Sequence, residues 1–264
     1  MLVIKQLTKV FPVGGGNVKV AVNRVNLSIN KGEFVTVIGS NGAGKSTLLN
    51  LIAGRYLPDR GQIVLDGVDI TRWSEHRRAQ YIGRVFQDPL QGTAASMTIE
   101  ENLSIAEYRG KRRTLGRGVT PAGRERYRKL LAPLGLGLEN RLSSVVRLLS
   151  GGQRQSLSLI MATMTKPSLL LLDEHTAALD PKTAQQVLHL TTQIVAEYGL
   201  TTLMVTHNLE HALRIGDRTI MLHEGRIVLD LSGPDRARMT VSDLLEAFSS
   251  VRGAELLDDR LLLA

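Results

Sequence analysis

The chain contains no cysteine, which excludes disulfides and thiolate metal sites. Aromatic residues make up only 4% of it, so few rings are available for stacking on nucleic-acid bases. No uninterrupted apolar stretch approaches the ~20 residues that a membrane-spanning helix requires. The opening Met1-Leu-Val-Ile-Lys5 has no basic region followed by an apolar segment, so it reads as a strand rather than a signal peptide. A cytosolic protein is the expectation, with any membrane role exercised through a partner. Internal repeats and long heptad runs are also missing. What remains is an ordinary globular composition, 43% hydrophobic and 22% charged over 264 residues. That length suffices for one large domain, or for a domain carrying an inserted subdomain.

Acidic residues are in deficit, 25 Asp and Glu against 33 Lys and Arg, for a formal charge of +8. The surplus is densest at Arg109, Lys111, Arg112, Arg113, Arg117, Arg124, Arg126, Arg128 and Lys129, where Glu125 is the one acid in the segment. Two readings stay open: a solvated loop and helix face, or contact with a membrane protein or anionic lipid headgroups. Nucleic acid is disfavoured, because only Tyr108 and Tyr127 offer rings there.

Patterning changes twice along the chain. Up to about Thr36, the short runs Val18-Lys-Val20 and Val25-Asn-Leu27-Ser-Ile29 are separated by Gly14-Gly-Gly16 and Asn30-Lys-Gly32, which predicts antiparallel strands and hairpins. Phe34–Ile38 reads as a buried strand, and Lys45–Ala53 as a helix with Leu48, Leu49 and Ile52 at helical spacing. Further strands are expected at Gly61–Leu65 and Ile82–Phe86. From Thr98 to Thr165 the pattern is mostly helical. Thr98-Ile-Glu-Glu101 has the form of a capping box, the Gly/Arg-rich stretch Gly110–Gly123 separates two helices, and Ser150 can cap a third. After Pro167 the α/β pattern resumes with strand Leu169–Leu172, helix Pro181–Tyr198, strand Thr202–Val205, a hairpin around Glu224-Gly225 and a short helix Val241–Phe248. The expected layout is an α/β core from 1–87 and 166–248, an inserted helical segment at 88–165 and a short tail at 249–264.

Gly39-Ser40-Asn41-Gly42-Ala43-Gly44-Lys45-Ser46 fits the phosphate-loop pattern G-x-x-x-x-G-K-[ST] between an expected strand and an expected helix. The glycines let backbone N–H groups wrap phosphate oxygens, and the helix adds its positive N-terminal end. Lys45 brings a full charge to the β- and γ-phosphates, the Ser46 hydroxyl can ligate Mg²⁺, and Thr47 falls beside the α-phosphate. ATP and Mg²⁺ are the cofactors this implies. Asp173 ends an apolar strand, where open parallel sheets place their ligands, and its carboxylate can hold Mg²⁺ through a coordinated water. Glu174 follows and points elsewhere, suited to polarise a water. Leu149-Ser150-Gly151-Gly152-Gln153 repeats the anion logic with a hydroxyl, exposed N–H groups and a helix N-terminus. One chain has no obvious second phosphate for it.

Taken in this order, these segments resemble the ATP-binding cassette (ABC) family, and the chain from Leu2 to about Phe248 is similar to the ATPase subunit of a bacterial importer. The resemblance implies a P-loop NTPase fold, an α/β RecA-like core with an antiparallel β subdomain and an inserted α-helical subdomain. It makes Glu174 the general base and His207 the switch histidine on the γ-phosphate. Gln87 becomes the glutamine that touches Mg²⁺ and the water. Phe11, expected just after the first strand, becomes the ring that stacks on adenine. Ser150, Gly151, Gly152 and Gln153 are then the signature that closes over the nucleotide of a second copy, with Asp180 in the loop along that seam. His175 departs from the family pattern, which commonly has proline there. The implied partners are a second copy of the chain, transmembrane permease subunits whose short helix enters the groove from the Gln87 loop to about Leu103, and, indirectly, an extracytoplasmic substrate-binding protein. No nucleic acid is expected, and the place is the cytoplasmic face of the membrane. Within the family, Asp173–Pro181 and Gly92–Thr98 look like an importer branch for which amino acids, aromatic ones among them, are a plausible cargo. The rivals are an exporter or lipid-extracting ATPase using the same motifs, and a soluble cassette acting on DNA or the ribosome. The soluble class would carry a long coiled coil or two cassettes, and neither is present.

Overall fold

The computed structural model describes residues 1–111 and 117–250. The amino-terminal half opens with strands β1 (Leu2–Val13), β2 (Asn17–Ile29) and β3 (Phe34–Gly39), then helix α1 (Lys45–Ala53), β4 (Arg60–Leu65), β5 (Val68–Asp69), α2 (Glu75–Arg78) and β6 (Ile82–Val85). The helical stretch holds α3 (Ile99–Glu107), α4 (Pro121–Leu131) and α5 (Gly151–Thr163). The remainder is β7 (Leu169–Asp173), α6 (Pro181–Tyr198), β8 (Thr202–Val205), α7 (Leu209–Arg214), β9 (Arg218–His223), β10 (Arg226–Ser232), α8 (Gly233–Arg238) and a last helix, α9, at 241–250.

The strands form two sheets. One is antiparallel in the order β2-β1-β4-β5, and the other runs β10-β9-β3-β8-β7-β6 with only β10 antiparallel to its neighbour. In the first sheet the alternation of Leu2 and Ile4 breaks at Gln6, whose φ is 47°. A register shift lies between Ile4 and Leu7, and the extra residue returns Leu7 to the core. In the second sheet β3 and β8 are buried along their whole length, as parallel strands covered on both faces must be.

Side-chain alternation divides the interior. Leu169 and Leu171 of β7 join α1 and the antiparallel sheet on one face, while Leu170 and Leu172 join α5, α6 and the helical stretch on the other. The four parallel strands that matter to function therefore end together. β3 delivers the phosphate loop, β7 the acid pair, β8 leads to His207 and β6 to Gln87, all at the carboxyl edge of one sheet.

Capping matches the expectation at Thr98 and at Ser150. Each side chain accepts from the backbone three residues on, and Glu101 and Gln153 reach back in turn. Between α4 and α5 the chain turns through single 3₁₀ turns, because Pro133, Gly135 and Gly137 interrupt any longer helix. The basic segment finds counter-charges within itself, where Arg128 and Lys129 lie 3.5 and 4.0 Å from Glu125, and outside itself. Arg124 grips Glu100 of α3 through two bonds of 2.7 and 2.9 Å, and Arg126 meets Glu107 at 2.8 Å. Arg112, Arg113 and most of the expected tail lie outside the described residues. Among the described residues, no helix is long and apolar enough to cross a membrane.

Candidate functional site

A cavity of 330 Å³ opens over the phosphate loop, walled by Gly42, Lys45, Ser46 and Thr47 on one side and by Glu174 and His207 on the other. α1 starts without a side-chain cap, so its first N–H groups remain available to a ligand. Gly44 occupies the cap position with φ 101°, and a Cβ there would stand 2.2 Å from the carbonyl oxygen of Ala21. No other residue tolerates that combination. Lys45 is 5% exposed and donates to the carbonyls of Gly39 at 2.8 Å and Ser40 at 3.0 Å. Burial pulls its pKa below the ordinary value, and the charges of Glu174 and Asp173 oppose that pull. Among the described residues no carboxylate pairs with it directly, which leaves the ammonium for an incoming anion.

The two acids after β7 face different partners. Glu174 leaves the strand with φ 48°, in the left-handed region, and its Oε1 lies 2.6 Å from His207 Nε2 at the cavity wall. A carboxylate paired with an imidazole beside a phosphate site can orient a water and take its proton. Asp173 turns the other way, towards Arg84 of β6, whose Nη2 stands 3.1 Å from Oδ2. Arg84 also donates from Nη1 to Asn50 Oδ1 at 2.8 Å.

Other expected residues fall in varied places. Phe11 borders the cavity, but it lies inside β1 opposite Lys19 rather than after the strand. The hairpin continues through Pro12 to Val13, past the bulge at Gln6 that interrupts the alternation of the strand. Its ring meets Tyr56 edge to face at 5.2 Å. Gln87 stands exposed beyond β6 and does not line the cavity. Asp180 caps α6, accepting from Thr183 N at 3.1 Å. Hydrogen bonds from the side chain and then the backbone of Thr183 hold its carboxyl below the usual range.

None of Ser150–Gln153 lines the phosphate cavity of its own chain. Ser150 Oγ accepts from Gln153 N at 3.3 Å, which leaves its proton free to donate outward. The turn borders a separate depression of 480 Å³ against α6. Gly152 packs so closely there that a Cβ would stand 2.2 Å from Thr183 Cγ2. His175 is 2% exposed and meets Thr191 Oγ1 of α6 at 3.0 Å, so it ties the turn to that helix.

Lys19, Tyr56, Arg84, Asn50 and Thr183 were not foreseen. Each depends on adjacency between elements, and only Lys19 leaves a trace, as a cation between Val18 and Val20 of β2. Its Nζ lies 3.6 Å from where a Cβ of Gly42 would be, at the mouth of the loop.

The chain is similar to known proteins. The model of the ABC transporter family matches residues 22–177. A tyrosine transport ATP-binding protein of Clostridioides difficile (strain R20291) is 50% identical over 248 residues, spanning 94% of this chain and 98% of that protein. The methionine import ATP-binding protein MetN 2 of Rhodococcus jostii is 38% identical, over 85% of this chain and 64% of its own length. The dimeric post-hydrolysis structure of the ATP-binding cassette MJ0796 with ADP and Pi superposes with a TM-score of 0.75 at 30% identity, covering 88% of this chain and 98% of the other.

Proposed function

The chain belongs to the ABC transporter family, and from that membership we propose that it is the ATP-hydrolysing motor of an amino-acid importer, working at a seam between two copies of itself. The observation that carries the seam is the separation of the signature turn from the phosphate cavity of the same chain. A Ser hydroxyl, free N–H groups and a helix N-terminus facing away from their own nucleotide gain an anionic ligand only from another subunit. The dimeric form of the cassette MJ0796 supports this reading.

In the proposed cycle, Lys45 leaves the carbonyls of Gly39 and Ser40 for the β- and γ-phosphates. The open N–H groups of α1 hold the phosphate oxygens, and Phe11 offers its ring to the adenine. Ser150 and its turn, from the partner copy, close over the γ-phosphate. Glu174 takes the proton of the attacking water while His207 fixes its carboxylate and bonds the γ-phosphate. Gln87 enters the site as the copies close, bringing the strand end that leads to the helical stretch. Asp180 lies along the seam. Loss of the γ-phosphate removes the shared anion, and the copies separate.

A magnesium ion fits the donors present. Ser46 presents a hydroxyl with no hydrogen bond among the described residues, Asp173 presents a carboxylate, and both are hard oxygen ligands. Among the described residues no group of three His, Cys, Asp or Glu side chains forms a cage, which suits an ion held chiefly by nucleotide phosphates. When bound, it would neutralise charge on the β- and γ-oxygens.

Transmembrane permease subunits and an extracytoplasmic binding protein complete the proposed importer, with this chain peripheral on the cytoplasmic face. The 50% identity to a tyrosine transport protein over nearly the full length supports an aromatic amino acid as cargo. Glu174→Gln tests the seam. With ATP it is expected to run as a dimer in light scattering, with turnover reduced ~10²–10⁴-fold. A monomer that still turns over ATP would refute the scheme. Uptake of labelled tyrosine, compared with methionine, in cells lacking the protein tests the cargo.

A further inference from the structure

Arg84 does not line the phosphate cavity, yet it is 9% exposed and holds the only hydrogen bond that the Asp173 carboxylate makes among the described residues. A guanidinium so enclosed needs partners on every side. It has two: Asp173 Oδ2 at 3.1 Å on β7 and Asn50 Oδ1 at 2.8 Å on α1. Its Nε is buried without an acceptor, and its plane lies over the Phe86 ring at 4.5 Å. The group is thus committed to one two-pronged grip, at the expense of its third donor.

Those two prongs have a common meaning. Asn50 follows Ser46 by four residues on α1, so the two share one face of the helix. Arg84 therefore joins the helix face that carries the Ser46 hydroxyl to the carboxylate at the end of β7. It holds Oδ2 and leaves Oδ1 unengaged.

We propose that Arg84 is a positioning residue for the metal of the ATPase site: it sets the spacing between Ser46 and Asp173 and keeps one carboxylate oxygen turned to the ion. This rests on the reading of Asp173 as the metal-holding acid. Arg84 touches neither nucleotide nor metal and acts through Asp173 and Asn50. Groups that hydrogen-bond a metal-binding carboxylate typically govern metal affinity by ~10–100-fold when removed.

The test uses the full chain in a Glu174→Gln background, with ATP bound and Mn²⁺ as the probe, followed by electron paramagnetic resonance. Arg84→Met is expected to raise the Mn²⁺ Kd by ~10–100-fold. Arg84→Lys, which keeps the charge but loses the fork, is expected to fall between. Binding of ATP in EDTA is expected to stay within about twofold of the parent, because Lys45 and the loop N–H groups supply it. Asp173→Asn is measured alongside. If it leaves Mn²⁺ binding unchanged, the reading of Asp173 has failed and this inference with it. If Asp173→Asn weakens Mn²⁺ but Arg84→Met leaves it equal or tighter, the inference alone is overturned, since Arg84 would then only repel the ion. An equal loss of metal-free ATP binding would also overturn it, by assigning Arg84 a general structural role. Should Arg84→Met not fold, Arg84→Lys and Asn50→Leu decide by the same measurements.

Discussion

Replacing His175 by glutamine is expected to flatten the acid limb of the stability profile. The imidazole is enclosed between the turn after β7 and α6, with Nε2 3.0 Å from Thr191 Oγ1. Thr191 sends its own proton to the Val187 carbonyl at 2.8 Å, so its oxygen accepts from the ring. Burial, with a smaller contribution from the nearby His211, pushes the His175 pKa down from 6.5 to about 4. A depressed pKa in the folded state means that the unfolded chain takes up the proton first as pH falls. The stabilisation is therefore complete above pH 6.5, declines from there and is exhausted below about pH 4. At 1.36 kcal/mol per unit of separation the whole effect is about 3 kcal/mol, of which about 2 kcal/mol is lost between pH 7.5 and pH 5. Urea unfolding of the nucleotide-free protein, followed by circular dichroism at several pH values, measures it directly. Glutamine retains a donor for Thr191 but cannot titrate, so the variant should lose about 2 kcal/mol less than the parent over that interval. Carboxylate titrations are common to both proteins and cancel. Parallel profiles would refute the argument, because the ring would then be charged or solvated in the native state.

Two further substitutions probe the supports of the site. Arg78 is 1% exposed and donates to the carbonyls of Leu51, Ile52, Thr71 and Trp73 at 2.7 to 3.1 Å, two of them at the carboxyl end of α1. Burial lowers its pKa to about 10, which still leaves it charged at neutral pH. Arg78→Met orphans those oxygens and is expected to cost ~3–5 kcal/mol in chemical denaturation, while a loss below ~1 kcal/mol would contradict the role. Gly152→Ala drives a methyl into Thr183, so the signature turn must shift. ATP is expected to bind this variant's monomer as before without inducing a dimer in light scattering, and an unchanged dimer would refute the close-packing argument.

Much of the fold was legible where local chemistry closes an element. α1 and α6 run between the residues expected from sequence, because Gly54 and Gly199 end them in the left-handed conformation and Asp180-Pro181 opens the second. β8 is similarly bounded. α7 escaped notice, since its six residues are too few to display a helical period. α8 begins at Gly233-Pro234, which reads as a turn. The backbone positions of the site were legible for a related reason: loops at the ends of buried strands converge whatever the side chains between them. The supporting contacts were not. That Arg84 faces Asp173 follows from β6 lying beside β7, with Arg84 paired to Leu171, and no spacing in the sequence encodes that adjacency. The same holds for Arg124 and Arg126 of the basic segment, which Glu100 and Glu107 meet from another helix.

The departure at His175 gains its meaning from these contacts. A proline there would stiffen the turn locally, through its fixed φ. The histidine stiffens it from a distance, through Thr191 of α6. Just before it, Glu174 carries a left-handed conformation that costs about 1–2 kcal/mol, and this is what lets three successive residues face three different elements. Asp173 is fixed to β6, Glu174 to His207, and His175 to α6. The signature turn is seated on the same helix, two turns away, by the contact of Gly152 with Thr183. In the proposed cycle α6 therefore connects the acid assigned to a chain's own nucleotide with the turn assigned to the nucleotide of its partner. In that scheme a displacement of α6 as the two copies close would move both together and link formation of one half-site to formation of the other.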